Sequence, residues 1–222
     1  MKIMTTTPGS AVKPLLIVLA LIAGPSYAAA VGQIANLSGT LSVKRLDGTS
    51  KLLAVKSEVE SGDTLATEEG TYARVKFIDG GEVVLRPGTQ IKVDAFSFDQ
   101  AKPAQDNQVI SLFKGGLRAI TGLLGKRSKE KVSYVTATAT IGIRGTNLGA
   151  ALEDDGSLHV DVSDGAVVVT NAGGMLQVNT GQFALVKSGV SPPTLMINGQ
   201  KVTIPLNIGR GIGKDQGSSC TL

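Results

Sequence analysis

The chain has 222 residues, of which 42% are hydrophobic and 4% aromatic, and its formal net charge at pH 7 is +4. That length is enough for one large or two small domains with a buried core. A balance of 22 basic and 18 acidic side chains does not indicate a nucleic-acid surface. The single cysteine, Cys220, excludes a disulfide framework within one chain, although a terminal thiol can still join two chains.

The first thirty residues have the composition of a secretory signal. They contain Lys2 and Lys13, no acidic residue, and an apolar run at positions 15–23. A bilayer-spanning helix needs about 20 apolar residues, so this shorter run predicts a cleavable signal peptide and not a membrane anchor. We expect cleavage after Ala30 or two residues earlier, and a soluble mature protein that is periplasmic or secreted.

Alternation of apolar and polar residues recurs between positions 41 and 186, and no convincing stretch has helical spacing. At positions 72–78, for example, Ala73, Val75 and Phe77 fall on one face, as a half-buried strand requires. The other predicted strands are 82–85, 90–93, 109–113, 131–137, 158–162, 166–170, 175–178 and 182–186. The pattern therefore predicts an all-β fold, a compact β-roll or sandwich or a short β-solenoid, preceded by a signal-peptide helix.

Turn dipeptides punctuate these strands. Asp47-Gly48, Asp79-Gly80, Asp155-Gly156 and Asn198-Gly199 each lie between apolar runs and supply the positive φ angles of tight hairpins.

The chain divides into three parts after this reading: a signal peptide at 1–30, an all-β domain at 31–188, and a linker, small hairpin and flexible tail at 189–222. Within the domain, residues 39–43 resemble residues 165–169, and 62–65 loosely resemble 181–185. This echo indicates two related halves, about 31–100 and 108–188, with no strict repeat period.

Residues that carry catalysis or bind metals are scarce. His159, on the polar face of a predicted strand, is the only histidine, so neither a nucleophile–histidine pair nor a zinc site is expected. The acidic run at 153–155 lacks the ligand spacing of a calcium loop. Carboxylates such as Asp154 and Asp155 leave an envelope polysaccharide hydrolase as a minor alternative. We expect no catalytic, cofactor-binding or metal-binding residue.

Residues 122–128 resemble a phosphate-binding loop only superficially, because Ile120 and Arg127 occupy positions where that motif needs glycine and a hydroxyl residue. The basic run at 126–131 could contact anionic envelope polymers, but a solvated loop is the preferred interpretation.

The sequence TATATIGIRGT at 136–146 continues the alternation of Val135. It predicts a strand with one face formed by Ala137, Ala139, Ile141 and Ile143, and the other by Thr136, Thr138, Thr140, Gly142 and Arg144. The glycines on either side of Arg144 would permit close backbone contact or a bulge. We expect Arg144 to clamp neighbouring carbonyls or a carboxylate, with an anion or partner anchor as the alternative.

Three segments together resemble the FecR domain family: GDTLAT at 62–67, ARVKFIDGGEVVLRPGT at 73–89 and TATIGIRGT at 138–146. The resemblance extends over about residues 33–186. It implies an all-β extracytoplasmic domain that is not an enzyme and works through contacts with other proteins. The residues of interest are those at the signature positions, for structure or for partner binding: Gly62, Asp63, Gly142, Arg144, Gly145 and Thr146.

The best-known members of that family relay iron-siderophore uptake from an outer-membrane transporter to a cytoplasmic sigma factor. They carry a cytoplasmic segment and a full membrane span, whereas about a dozen residues precede the apolar run here, so we expect the secreted, stand-alone type. The leading hypothesis is a non-catalytic module that binds or scaffolds an envelope protein or polymer. The alternative is a sensor that acts in trans within a transmembrane signalling system.

Overall fold

A computed structural model describes residues 29–196 of the chain. Strands dominate this part, with one α-helix, α1 (Leu123–Arg127), and two single 3-10 turns, Pro103–Gln105 and Lys129–Lys131. The strands of the first half are β1 (Ala30–Leu37), β2 (Leu41–Lys44), β3 (Ser50–Leu53), β4 (Glu58–Glu60), β5 (Thr64–Thr67), β6 (Ala73–Phe77), β7 (Glu82–Leu85) and β8 (Gln90–Ser97). The remaining strands are β9 (Asn107–Ile120), β10 (Val132–Val135), β11 (Thr140–Ile143), β12 (Asn147–Leu152), β13 (Leu158–Asp164), β14 (Ala166–Asn171), β15 (Gly174–Asn179), β16 (Phe183–Val186) and β17 (Thr194–Leu195).

The strands form two open sheets that share β9. Sheet 1 has the order β4-β1-β6-β7-β9-β12-β13-β16-β17. Sheet 2 has the order β3-β2-β5-β8-β9-β10-β11-β14-β15. Within residues 29–196 every ladder is antiparallel except β9–β10, and neither sheet closes into a barrel. The prediction of an all-β domain is confirmed.

One hydrophobic core joins the two sheets. Ala73, Val75 and Phe77 of β6 are all buried in it, as their alternation predicts. Phe77 of sheet 1 stacks on Phe96 of sheet 2, with ring centroids 4.9 Å apart. Burial of alternate side chains from both sheets in a single cluster gives the hydrophobic stabilisation that a protein without disulfides needs.

Strand β9 passes from sheet 2 to sheet 1 at Gly115 and Gly116. Gly115 has a φ of 75°, and a Cβ there would lie 2.5 Å from the Thr89 hydroxyl. Thr89, which is fully buried, donates its hydroxyl to the Gly116 carbonyl and accepts from the Gly116 amide, both at 2.9 Å. Thr89, the last residue of the segment RPGT at 86–89, therefore holds the longest strand where it bends.

The two ends of the molecule are built alike. In the first half the chain leaves β1 in sheet 1, forms the β2–β3 hairpin in sheet 2, and returns to sheet 1 as β4, which pairs with β1. In the second half β13, the β14–β15 hairpin and β16 follow the same path. The turns before β4 and β16 match in detail, because Ser57 and Gln182 each accept a hydrogen bond from the backbone amide three residues earlier, at 2.9 and 2.8 Å. The echo between 39–43 and 165–169 falls on β2 and β14 with their preceding corners.

Three of the predicted turn dipeptides have the expected backbone. Gly48, Gly80 and Gly156 have φ angles of 85°, 81° and 82°. The predicted signal peptide, apart from its last two residues, lies outside the described part of the chain, as do the Asn198-Gly199 hairpin and Cys220.

The expected strand through TATA is wrong. Residues 136–139 form the tight turn between β10 and β11, in which the Thr136 amide donates to the Ala139 carbonyl at 2.9 Å. The Thr136 hydroxyl also accepts the amides of Thr138 and Ala139, at 3.2 and 3.0 Å. A side chain that satisfies two backbone amides favours a turn over a strand, so the alternation stops at Val135 and resumes at Thr140. Ala137 is consequently exposed and does not share a buried face with Ile141.

Candidate functional site: the groove beside the corner at residues 144–146

The most specific signature segment, IRGT, is a corner. The chain leaves β11 in sheet 2 at Ile143 and enters β12 in sheet 1 at Asn147. Thr146, only 4% exposed, donates its hydroxyl to the Ala166 carbonyl at 3.0 Å and accepts the Arg144 amide at 3.3 Å. Its own amide donates to the Thr121 hydroxyl at 2.9 Å. Thr146 therefore fixes the corner between the two sheets.

Two corners nest against each other at this point. Gly145 and Gly165 have φ angles of 74° and 78°, and a Cβ on Gly165 would stand 2.0 Å from the Gly145 carbonyl oxygen. Gly165 belongs to the corner by which β13 leads into β14. The contact leaves no room for a side chain on Gly165. Gly145 is favoured by its positive φ instead, because a Cβ there would meet nothing nearer than the Lys129 Cε at 3.9 Å.

The first half repeats this nesting. Gly70 has a φ of 73°, and the buried Thr71 follows it before β6, as Thr146 follows Gly145 before β12. A Cβ on Gly39 would lie 2.4 Å from the Thr71 hydroxyl. The repeated dipeptide Gly-Thr was available in the sequence as a sign of this symmetry, and sequence reasoning missed it.

Arg144 does not form the expected clamp. Its amide donates to the Ala166 carbonyl at 2.9 Å, which holds the backbone, but its side chain is exposed. Within residues 29–196 the guanidinium makes no hydrogen bond or ion pair. The clamp interpretation is wrong because the corner is fixed by Thr146 and leaves Arg144 pointing to solvent.

Arg144 instead lines an open groove of about 560 Å³ on the outer face of sheet 2. The groove is lined by Arg127, Lys129, Glu130, Val132, Ser133, Thr140, Gly142, Ile143, Arg144, Val168 and Met175. Gly142 leaves its floor open, since a Cβ there would meet nothing nearer than the Val168 carbonyl at 3.8 Å. This glycine is thus required neither by backbone conformation nor by crowding.

Arg127, at the groove wall, is anchored. Its Nε and Nη2 donate to the two carboxylate oxygens of Asp106, both at 2.7 Å, and its guanidinium lies 4.6 Å from the ring centroid of Phe98. The hydrogen bonds from Arg127 hold the pKa of Asp106 below its usual range, and burial opposes them. Since Ser128 is also buried and donates to Asp106 at 2.8 Å, the basic run at 126–131 is only partly the solvated loop that the sequence predicts.

Lys129 is the second free cation of the groove. It is exposed and makes no ion pair within the described residues, and its Cε lies 3.9 Å from the position of a Cβ on Gly145. Arg144 and Lys129 therefore give the groove a positive character, which the single exposed carboxylate in its lining, that of Glu130, only partly offsets. A groove of this kind suits a ligand that brings acidic groups over a small-residue floor.

Gly62 and Asp63, the other signature residues, lie away from the groove, at the turn before β5. Gly62 has a φ of 91°, and Asp63 is 1% exposed. The Asp63 carboxylate accepts from Arg45 and from the Glu60 amide, both at 2.8 Å. Burial raises the pKa of Asp63, against the effect of these two donors. The structure therefore places Asp63 in a local ion-pair network with Arg45 and Glu60.

The remaining chemistry-bearing residues are not brought together. Asp154 and Asp155 lie at the exposed turn between β12 and β13, where the Asp155 carboxylate accepts the Ser157 amide at 2.8 Å. His159 is half-buried on β13. Across residues 29–196, no group of three or more His, Cys, Asp or Glu side chains is placed to hold a metal ion. In the same part of the chain, no helix has the length and hydrophobicity that crossing a membrane requires.

The glycine-rich segment before α1 is structural. A Cβ on Gly122 would lie 2.2 Å from the Asp79 carboxylate, and that carboxylate accepts the Leu124 amide at the start of α1, at 3.2 Å. Asp79 is buried and also accepts the Gly81 amide at 2.9 Å. The segment IDGG in the second signature thus connects the β6–β7 hairpin to the helix.

Comparison with known proteins gives one family match. The model of the family described as FecR protein matches residues 63–168. No curated protein sequence matches.

Among solved structures, a candidate anti-sigma factor from Parabacteroides distasonis ATCC 8503, in crystal structures at 2.50 and 1.65 Å resolution, is 17% identical with a TM-score of 0.48. The alignment covers 60% of this chain and 58% of that one, so the chain spans a little over half the length of that protein. A cell surface anchoring domain is 25% identical with a TM-score of 0.29 over 29% of this chain and 86% of its own.

Proposed function

We propose that this protein is an exported, non-catalytic binding module of FecR-type envelope signalling. The match of the FecR family model to residues 63–168 supports this proposal. The partner of this module is another envelope protein, which docks into the groove beside Gly142 and Arg144. The proposal is supported by the position of the family-like signature at the corner that borders this groove. Its binding role follows the leading hypothesis from sequence, and its place in signalling follows the alternative.

The observation that carries the proposal is that Gly142, which leaves space on the floor of the groove, lies close to Arg144, whose side chain has no ion-pair partner within residues 29–196. Gly142 has space for a side chain and a backbone that any residue adopts, and Arg144 contributes nothing to the ladder through its guanidinium. Binding surfaces commonly combine residues that have no structural role with neighbouring residues that hold the scaffold in place. Thr146 and Gly145 build the corner, and Gly142 and Arg144 are left for a partner.

The charge of the groove indicates the chemistry of that partner. Arg144 and Lys129 would meet carboxylates, and an arginine can bind a carboxylate through two parallel hydrogen bonds. The neutral lining, with Thr140 and Ser133 hydroxyls and the exposed thioether of Met175, fits a peptide surface of mixed polarity. We therefore expect an acidic segment of a protein, and an anionic polymer is the alternative that the experiment must separate.

The test is site-specific photo-crosslinking in cells that express the full chain. A photoreactive residue at the exposed Thr140 should give a crosslinked adduct that protease digests. Gly142→Val should abolish the adduct because it fills the floor, and Arg144→Glu should abolish it by charge reversal. Both variants should keep the wild-type melting temperature, since neither substitution disturbs a hydrogen bond of the described structure. Arg144 is exposed, where changes are tolerated within about 0.5 kcal/mol, and a Cβ on Gly142 would meet nothing nearer than 3.8 Å.

Ser42→Val is the matched control, because it places the same side chain on the outer face of sheet 2 in the other half of the domain. It should leave the adduct unchanged. An adduct that resists protease and yields to polysaccharide-degrading enzymes would show a polymer partner and contradict the proposal. An adduct that survives Gly142→Val would show that the groove is not the docking site.

A further inference from the structure

Within residues 29–196, strand β15 is an edge strand, and it lacks the features that protect the other edges of the two sheets. The edges of sheet 1 are β4, three residues long with two glutamates, and β17, two residues long. The other edge of sheet 2, β3, carries Lys51. By contrast β15 has six residues, GMLQVN, without charge, proline or bulge. An edge strand of this kind is a template for pairing with another strand.

The hydrogen-bond alternation shows which groups face the free edge. The Thr180 amide donates to the Gly165 carbonyl at 3.0 Å across the β14–β15 ladder. In antiparallel pairing the bonded residues alternate, so Val178 and Leu176 bond to β14. The N–H and C=O groups of Met175 and Gln177 consequently point away from β14. The next backbone groups in that row, those of Asn179, are bonded to Gln182 at 2.8 and 2.9 Å.

We propose that β15 pairs with the β15 of a second copy of this chain about a two-fold axis at Leu176. In this register Met175 lies opposite Gln177 of the second copy, and Gln177 lies opposite Met175. Each of these pairs exchanges two hydrogen bonds. The four backbone groups of each strand that have no partner within residues 29–196 are then all satisfied. A register centred one residue further along would place Met175 opposite Asn179, whose backbone groups are already bonded.

The side chains agree with this register. Leu176, which packs against the core, meets its own copy on the inner side of the sheet, and this extends the apolar layer across the junction. Met175, 71% exposed, covers Gln177 of the second copy on the outer side. No charged residue lies between positions 165 and 186, so two copies approach this edge without repulsion. A second copy is therefore favoured over a charged peptide as the occupant.

The first test uses sedimentation of the complete chain. The wild type should sediment as a concentration-dependent dimer, and Gln177→Pro should weaken self-association about tenfold or more, because it removes two of the four intermolecular hydrogen bonds. Proline is tolerated here because the lost amide faces the free edge. The matched control is Leu52→Pro on β3, at the opposite edge of sheet 2. The hydrogen bond from the Arg45 amide to the Thr49 carbonyl shows which residues of β3 bond to β2, and in that alternation the Leu52 amide faces away from β2. This control should remain dimeric.

The second test reads the register by disulfide formation in a Cys220→Ser background. Two Cys residues from Leu176→Cys would be directly opposite in a non-bonded pair, with Cα atoms about 4.5 Å apart, and should crosslink on mild oxidation. Two from Gln177→Cys would be about 8 Å apart and should not.

Three results would overturn the proposal. A wild type that is monomeric at every soluble concentration excludes self-pairing. A dimer that Gln177→Pro leaves intact uses another surface, and crosslinking at position 177 in place of 176 disproves the register. If the wild type is monomeric but Gln177→Pro loses contact with a different envelope protein, the edge binds a foreign strand. Gly142→Val should leave the dimer intact, so failure of the groove proposal is distinguishable from failure of this one.

Discussion

Replacement of Thr89 by valine tests whether the bend of β9 depends on one hydroxyl. Valine keeps the shape of threonine but cannot bond the Gly116 amide and carbonyl, each 2.9 Å from the hydroxyl. Thr89 is 0% exposed and Gly116 is buried, so water does not replace the lost partner. A buried polar group left without a partner costs about 1–3 kcal/mol. The Gly116 carbonyl keeps its hydrogen bond from the Arg86 amide at 2.9 Å, so only the Gly116 amide is left without a partner. The expected loss in the free energy of unfolding is therefore about 1–3 kcal/mol.

For a domain of this size, 1 kcal/mol corresponds to about 2–4 °C in melting temperature. We therefore expect Thr89→Val to melt about 2–12 °C below the wild type in calorimetry or circular dichroism. Thr89→Ser is the control, because it keeps both hydrogen bonds and loses one methyl group, at a cost of about 1 kcal/mol. If the valine variant melts at or above the temperature of the serine variant, the hydroxyl does not hold the bend and the reasoning is refuted.

Two further predictions concern the corners and the anchored arginine. Gly165→Ala should destabilise the domain far more than Gly156→Ala. Both glycines have positive φ, but only a Cβ on Gly165 would lie 2.0 Å from a backbone atom, the Gly145 oxygen. Equal losses in the free energy of unfolding, measured by chemical denaturation, would contradict the nested corners. For Asp106, the folded-state pKa lies below its ordinary value of 3.8, so its carboxylate stabilises the fold at higher pH and this contribution is lost as pH falls through the lowered pKa. Between about pH 5 and pH 2, wild-type stability should therefore fall more steeply than that of Asp106→Asn, and parallel curves would show that the pair with Arg127 is not responsible.

Much of the fold could be predicted because local chemistry and burial agree. In β6 the alternation of Ala73, Val75 and Phe77 matches the buried face, and the Asp-Gly dipeptides adopt the turns that their backbone preferences favour. These signals depend on neighbours in the chain. They need no knowledge of what packs against the strand.

The failures come from contacts between distant residues. The TATA segment alternates like a strand, but the Thr136 hydroxyl bonds two amides and turns the chain. The full length of β9 was also missed, because its bend at Gly115 and Gly116 depends on Thr89, which follows from no local pattern. A period-two pattern does not show where a strand leaves one sheet for another.

The role that the sequence analysis assigned to one signature residue differs from the role that the structure shows. The signature residues Gly142, Arg144, Gly145 and Thr146 do lie together, at one corner and the groove beside it. Sequence reasoning assigned the structural role to Arg144 because of its five donors, whereas a threonine hydroxyl performs it. Whether an arginine is anchored or free depends on an acidic partner within reach. Arg127 has one in Asp106, 21 residues away in the chain.

Strand β9 makes the two halves of the domain inseparable. Its first part is bonded between β8 and β10 in sheet 2, and its second part between β7 and β12 in sheet 1. Removing either half would strip one long side of this strand and open the core along it. A duplicated architecture often leaves two pieces that can survive apart, but here a proteolytic cut within β9 would leave neither piece with an intact sheet.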